Sequence, residues 1–306
     1  MTRGRGTAIA AALLLAALAV AGCGLGPGAE VGSVRLTVSK EFGAEPMLED
    51  SVKANESDTV MRVLEGSAPI ETRYGGGYVK SIEGVAETSR GGNPYDWFFF
   101  VDGVESPVGA AEYPLKGGER IWWDFRDWQA TNHVPAVVGS WPAPFVGGYE
   151  GERHPVVVEC EGGGVGGACE AVEAALEDEG VKLAKGSPGG AIRVLVGPWP
   201  ALRSDPAAAQ LEGGPADSGV YAKLEPSGSG YSLVGLEPDG AVAKRFGAAA
   251  GLVAATRHLE GPPVWLVTGA TPAGVRAAAG LLDVADLRDH YAVVSEDGEV
   301  VPLPVR

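Results

Sequence analysis

Residues 129–154 divide the chain into two stretches with different hydrophobic rhythms, and that division most constrains the fold. The segment is rich in Pro and Gly, with Pro135, Pro142, Pro144, Gly147 and Gly148, residues that interrupt regular structure. Before it, apolar residues alternate with period two: Val34, Leu36 and Val38 against Arg35 and Thr37, and later Ile121, Trp123 and Phe125. That is the pattern of half-buried strands. After it, strand-like runs alternate with helical ones: 156–160 leads to 169–176, and 192–196 leads to an Ala-rich turn of helix around 205–211. Alternation of this kind marks an α/β layer. The expected organisation is a linker over 129–154 between an α+β domain at 34–128 and an α/β domain at 155–306. The linker carries Trp141, Phe145 and Tyr149, aromatics that point to packing against one of the domains.

Within 34–128 one helix is expected, over 59–65, capped by Ser57 or Asp58, with Val60, Val63 and Leu64 on one face. Strands are expected at 77–82, at 97–101 with an Asp102-Gly103 turn, and at 120–125 after Gly117-Gly118. Within 155–306 a helix is expected over 247–259, a strand over 264–267, and a helix opened by Thr271 and Pro272 that runs toward Leu287. Segments 220–224 and 231–234 read as a hairpin, so this sheet should be mixed.

The amino terminus sets the compartment. Arg3 and Arg5 precede an apolar run of fifteen residues, Thr7 to Ala21, which is shorter than the roughly 20 residues that span a bilayer. Residues 1–22 therefore read as a removable signal. Val20-Ala21-Gly22-Cys23 resembles the bacterial lipobox, which implies lipid on Cys23, a Gly-rich tether over 23–33, and an extracytoplasmic bacterial protein held to a membrane. Export favours a disulfide between Cys160 and Cys169.

Composition removes several function classes. The net charge of −16 repels phosphate backbones, so nucleic acid is not expected as a partner. His133, His154, His258 and His290 lack the short spacings of a metal site. Residues 162–167 fit GxGxxG between strand and helix, but no ribose-binding acid ends the next strand region and export disfavours nucleotide cofactors. The loop reads as stapled by the disulfide. The turn 267–272 could hold an anion at a helix start, yet building the fold accounts for it. No nucleophile elbow or free thiol is present, and no catalytic residues, metal or cofactor are expected.

Residues 74–85, 97–104, 108–115 and 116–124 follow one another in an order that resembles the transcobalamin-like C-terminal domain family of small extracellular β-rich domains. The resemblance covers 34–128 and implies a β-grasp-like sheet with one helix, surface display, and a corrinoid as a ligand to consider. Two positions depart from the family: Asp102 stands where Asn is usual, and Glu119 where Asp is usual. No helical barrel of the cobalamin carriers is legible.

Alternation in the last strand of this region sets Arg120, Trp122, Asp124, Arg126 and Trp128 on the face opposite Ile121. Trp122 and Trp128 are the first candidates for stacking on a ligand ring; alternatively they cover the linker aromatics or pack on the second domain. Tyr74 and Tyr78, beside Gly75 to Gly77, could line the same mouth or serve as sheet-edge packing. The expectation is a non-enzymatic lipoprotein that binds a small solute, with an envelope or adhesion protein binding protein or wall polymer as the alternative.

Overall fold

The computed structural model describes residues 28–306; Cys23 and the signal segment lie outside the described residues. Strands dominate and helices are few, an α+β composition. β1 (Glu30–Lys40) and β2 (Glu45–Asn55) form a hairpin, followed by α1 (Val60–Ser67), β3 (Ile70–Arg73), β4 (Tyr78–Ile82), β5 (Val85–Ala86), β6 (Thr88–Arg90), β7 (Asn93–Val101), β8 (Val104–Glu105) and β9 (Arg120–Asp127). One mixed sheet runs β2-β1-β9-β7-β6 with β8 on β7, its β1–β9 pair parallel and the others antiparallel; β3-β4-β5 form a small separate sheet. The helix cap is Thr59, whose Oγ1 accepts from the Arg62 amide at 3.3 Å; Asp58 instead accepts from the Asn55 amide. β2 lacks a clear alternation because it is an edge strand with charged, mostly solvated side chains, as edges that avoid aggregation are.

α2 (Ala143–Val146) leads to β10 (Val156–Cys160), α3 (Gly166–Asp178), β11 (Ile192–Pro198), α4 (Trp199–Leu202), α5 (Pro206–Ala209) and α6 (Pro215–Ser218). β12 (Ala222–Ser227), β13 (Gly230–Leu236), β14 (Val242–Arg245), β15 (Gly251–Arg257), β16 (Pro263–Gly269), α7 (Pro272–Ala279), α8 (Val284–Leu287), β17 (Ala292–Glu296) and β18 (Glu299–Leu303) complete the chain. The order β10-β11-β16-β15-β17-β18 makes a second mixed sheet, parallel across β10, β11 and β16 and antiparallel beyond. β12-β13-β14 is a third, antiparallel sheet. The expected helix over 247–259 is β15. Its Leu252 to Ala255 are buried between β16 and β17, where cross-strand pairing and burial on both faces outweigh the helix preference of Ala and Leu. The helix opened by Thr271 stops at Gly280, and Asp283 caps a separate α8.

Three buried clusters hold the layers together. α1 packs Val60, Val63 and Leu64 onto Ile121, Trp123 and Phe125 of β9. α3 and α7 cover one face of the second sheet, where Val172, Leu176, Val275 and Ala278 meet Val196, Val253 and Trp265. Its opposite face joins Leu252, Ala254 and Leu266 to Tyr221, Tyr291, Phe42, Phe100 and Trp122, so one core continues across both stretches of the chain. Residues 129–154 are part of this packing, with Val134, Val137, Trp141, Phe145 and Tyr149 buried.

Candidate functional site

A cleft of about 560 Å³ opens where the turn after β7 and the entry to β9 face α2 and residues 147–153. Asp102 and Gly103 connect β7 and β8 with φ of 52° and 79°, the doubly left-handed geometry of a two-residue hairpin turn that favours Asp or Asn before Gly. This turn puts the Asp102 carboxylate against β9, where it accepts from the Arg120 amide at 2.9 Å. Gly117 approaches β1 so closely that a Cβ would lie 2.2 Å from the Val31 carbonyl oxygen. Glu119 fixes that approach by accepting from the amides of Lys116 and Gly117 at 2.5 and 2.7 Å. Across the gap, Pro142, Ala143 and Val146 of α2 form an apolar wall, and Val146 is 43% exposed there.

The wall is electrically uneven. Burial pushes the Asp102 carboxyl up to about 7, with the neighbouring Glu119 charge adding to the effect against the pull of the Arg120 amide. Burial lowers the Arg120 guanidinium from its ordinary value, and the positive charges of Arg35 and Arg288 lower it further. Lys116 and Arg153 also line the cleft and are exposed. Among the described residues, no ion pair involves Lys116, Arg120 or Arg153. The sequence singles out Asp102, Gly117, Gly118, Glu119, Arg120, Pro142, Gly147 and Gly148 as turn, breaker or face residues or as departures from the family pattern, but it does not bring them to one cleft. The cleft depends on bringing 142–153 against the β9 entry, a contact that no local rhythm encodes.

The aromatic candidates lie elsewhere. Trp122 is only 2% exposed; its indole donates to Ser39 Oγ at 2.8 Å and its ring meets Phe100 and Tyr291 edge-on or tilted. It packs on the second stretch of the chain and offers no face to a ligand. The reason lies two residues on. Asp124 is fully buried and accepts from Ser39 Oγ, the Phe42 and Gly43 amides and the Tyr291 hydroxyl at 2.6 to 3.1 Å, which draws Tyr291 down onto this face. Trp128 is half-buried. Tyr78 donates to the Asp96 carboxylate, and Tyr74 stands 87% exposed beside it. The structure therefore does not bring Trp122 to a common mouth with the two tyrosines.

Cys160 and Cys169 are joined in a disulfide that closes the glycine loop before α3. Among the described residues, no group of three or more His, Cys, Asp or Glu side chains is placed to hold a metal ion, and no helix is long and apolar enough to cross a membrane.

Residues 57–127 match the model of a domain of unknown function, DUF4430. That segment contains α1, β3 to β9 and one wall of the cleft. No curated protein matches the chain. Among solved structures, haptocorrin in complex with Cbi is 19% identical with a TM-score of 0.27, over 31% of this chain and 25% of that one. A candidate metal-binding protein from Ruminococcus gnavus is 16% identical with a TM-score of 0.24, over 31% of this chain and 97% of that one. The chain thus spans about a quarter of the haptocorrin it matches.

Proposed function

We propose that this is an exported, lipid-anchored protein of the bacterial envelope that binds a small solute without transforming it, in the cleft between the β9 entry and α2. The observation that carries the reading is the cleft itself: its 560 Å³ lies in the range of about 300 to 1,000 Å³ typical of ligand sites, and it combines an apolar wall with a few converging polar groups. Attachment would come through Cys23, which lies outside the described residues, so Cys23→Ser should move the protein from the membrane fraction to the soluble one. Retention of that variant in membranes would remove the anchor.

A corrinoid is the first solute to try, on the strength of the resemblance carried by residues 74–124. Titrating the full chain in mild detergent with cobalamin should give saturable changes in Trp fluorescence and corrinoid absorbance. No saturable change at high micromolar ligand discards the corrinoid and leaves other solutes.

The exposure of Tyr74 favours a second reading, in which the β3–β4 tip stacks on a wall polymer or envelope protein. That version expects a macromolecule to be retained from envelope fractions by the full chain and lost with Tyr74→Ala.

A further inference from the structure

We propose that the solute taken by the cleft is a small organic anion, whose carboxylate or phosphate group sits among Lys116, Arg120 and Arg153 while its apolar part rests on Pro142, Ala143 and Val146. This rests on the reading of the cleft as a solute site and names the class of solute.

The chain as a whole is strongly acidic, with a net charge of −16, and carboxylates are plentiful partners elsewhere. Arg193 pairs with Glu159 and Asp205, Arg203 with Glu212, Arg257 with Glu150, and Arg288 with Asp289 and Glu49. Lys116, Arg120 and Arg153 gather without such a partner at one cleft, whose lining also carries Asp102, Glu119 and Glu179, so the wall is far less acidic than the molecule as a whole. Among the described residues, none of the nearby acids lies within ion-pair distance of these side chains: both oxygens of Glu119 face the Lys116 and Gly117 amides, and Asp102 accepts from the Arg120 amide. With its carboxyl pushed up to about 7 by burial, Asp102 also carries only part of a negative charge near neutral pH. Glu179, just past α3, also lines the cleft; it is exposed and screened by water and salt.

Arg120 is the best placed of the three cations. It is half-buried, β1 and β9 set it in register with Arg35, and burial and the Arg35 and Arg288 guanidinium groups disfavour its positive charge more than the Asp102 and Asp289 carboxylates favour it. An anion in the cleft would relieve that repulsion, and the planar guanidinium can meet a carboxylate or phosphate with two parallel hydrogen bonds. The Lys116 stem lies over Gly151, where an added Cβ would stand 3.3 Å from Lys116 Cε, so the glycine leaves room for the lysine to reach along the wall. The apolar surface of α2 opposite these cations distinguishes an organic anion from a bare inorganic one.

The test uses three probes that share a ring and differ in charge: phenyl phosphate, benzoate and neutral benzyl alcohol. Each is titrated calorimetrically into the full chain in mild detergent at constant ionic strength. At least one anion should bind saturably at millimolar concentration and about tenfold more tightly than benzyl alcohol, the size of a charge-assisted hydrogen bond. Comparing the two anions tells phosphate from carboxylate. Arg153→Gln, at an exposed position, and Arg120→Gln should each remove most of that preference, while Lys244→Gln on the distant β14 should leave it intact. Anions that bind no better than benzyl alcohol, or a preference that survives both arginine variants, overturn the proposal. If benzyl alcohol binds and Val146→Trp abolishes it while the anions gain nothing, the solute site stands and its charge preference falls. If no probe binds saturably, both readings fall together for solutes of this size.

Discussion

Asp102 shows how one side chain can serve a turn and still be a liability. Its position in the turn calls for a left-handed residue, and its carboxylate meets the Arg120 amide, but burial makes the charged form costly. The folded carboxyl titrates near 7, above the value of about 3.9 expected when unfolded. A raised acid favours folding in its protonated form, so its contribution is fully present below about pH 3.9 and is lost as pH rises through 7. Asn keeps the acceptor for the Arg120 amide, tolerates the left-handed backbone and never ionises. Asp102→Asn should therefore raise Tm most above pH 7 and cease to do so near pH 4, as measured by thermal melts of the two proteins across pH. An equal gain at every pH would show that charge is not the cause.

At the scale of elements, β15 and α7 are fitted to each other through glycine. A Cβ on Gly251 would stand 2.0 Å from the Gly274 carbonyl oxygen and 2.6 Å from the Ala278 amide. Gly251→Ala should cost about 1 to 3 kcal/mol as an overpacked contact, read from urea unfolding. A loss near zero would mean that helix and strand can separate freely. The same strand marks the limit of local reading. Leu252, Val253, Ala254 and Ala255 suit a buried helix as well as a buried strand, because a short apolar run has no diagnostic period. Pairing with β16 and β17 settled the matter. β9 was recognisable for the opposite reason: its two faces carry different residue types. Its outer face stays undecided between ligand stacking and packing on the second stretch, since alternation separates two faces without saying what covers either one.

Across the whole molecule, the cluster around Trp122 joins the β1–β9 sheet to Tyr221, Tyr291 and Leu303. Trp122→Ala should cost about 3 to 5 kcal/mol, and the described chain should unfold in one urea transition followed equally by fluorescence and circular dichroism. Two separated transitions would indicate that the shared core is not cooperative. What the sequence by itself determined is local: the period-two strands, the Thr271-Pro272 helix start, the Asp102-Gly103 turn, and the cysteines that could pair. Those features follow from side-chain alternation and backbone preference, which act over a few residues. The tertiary structure alone decided where residues 129–154 pack, that Tyr291 and Asp124 close the Trp122 face, and that Lys116, Arg120 and Arg153 share one cleft. Each of those outcomes depends on burial and charge between residues far apart in the chain, and alternation along one strand carries no record of its distant partners.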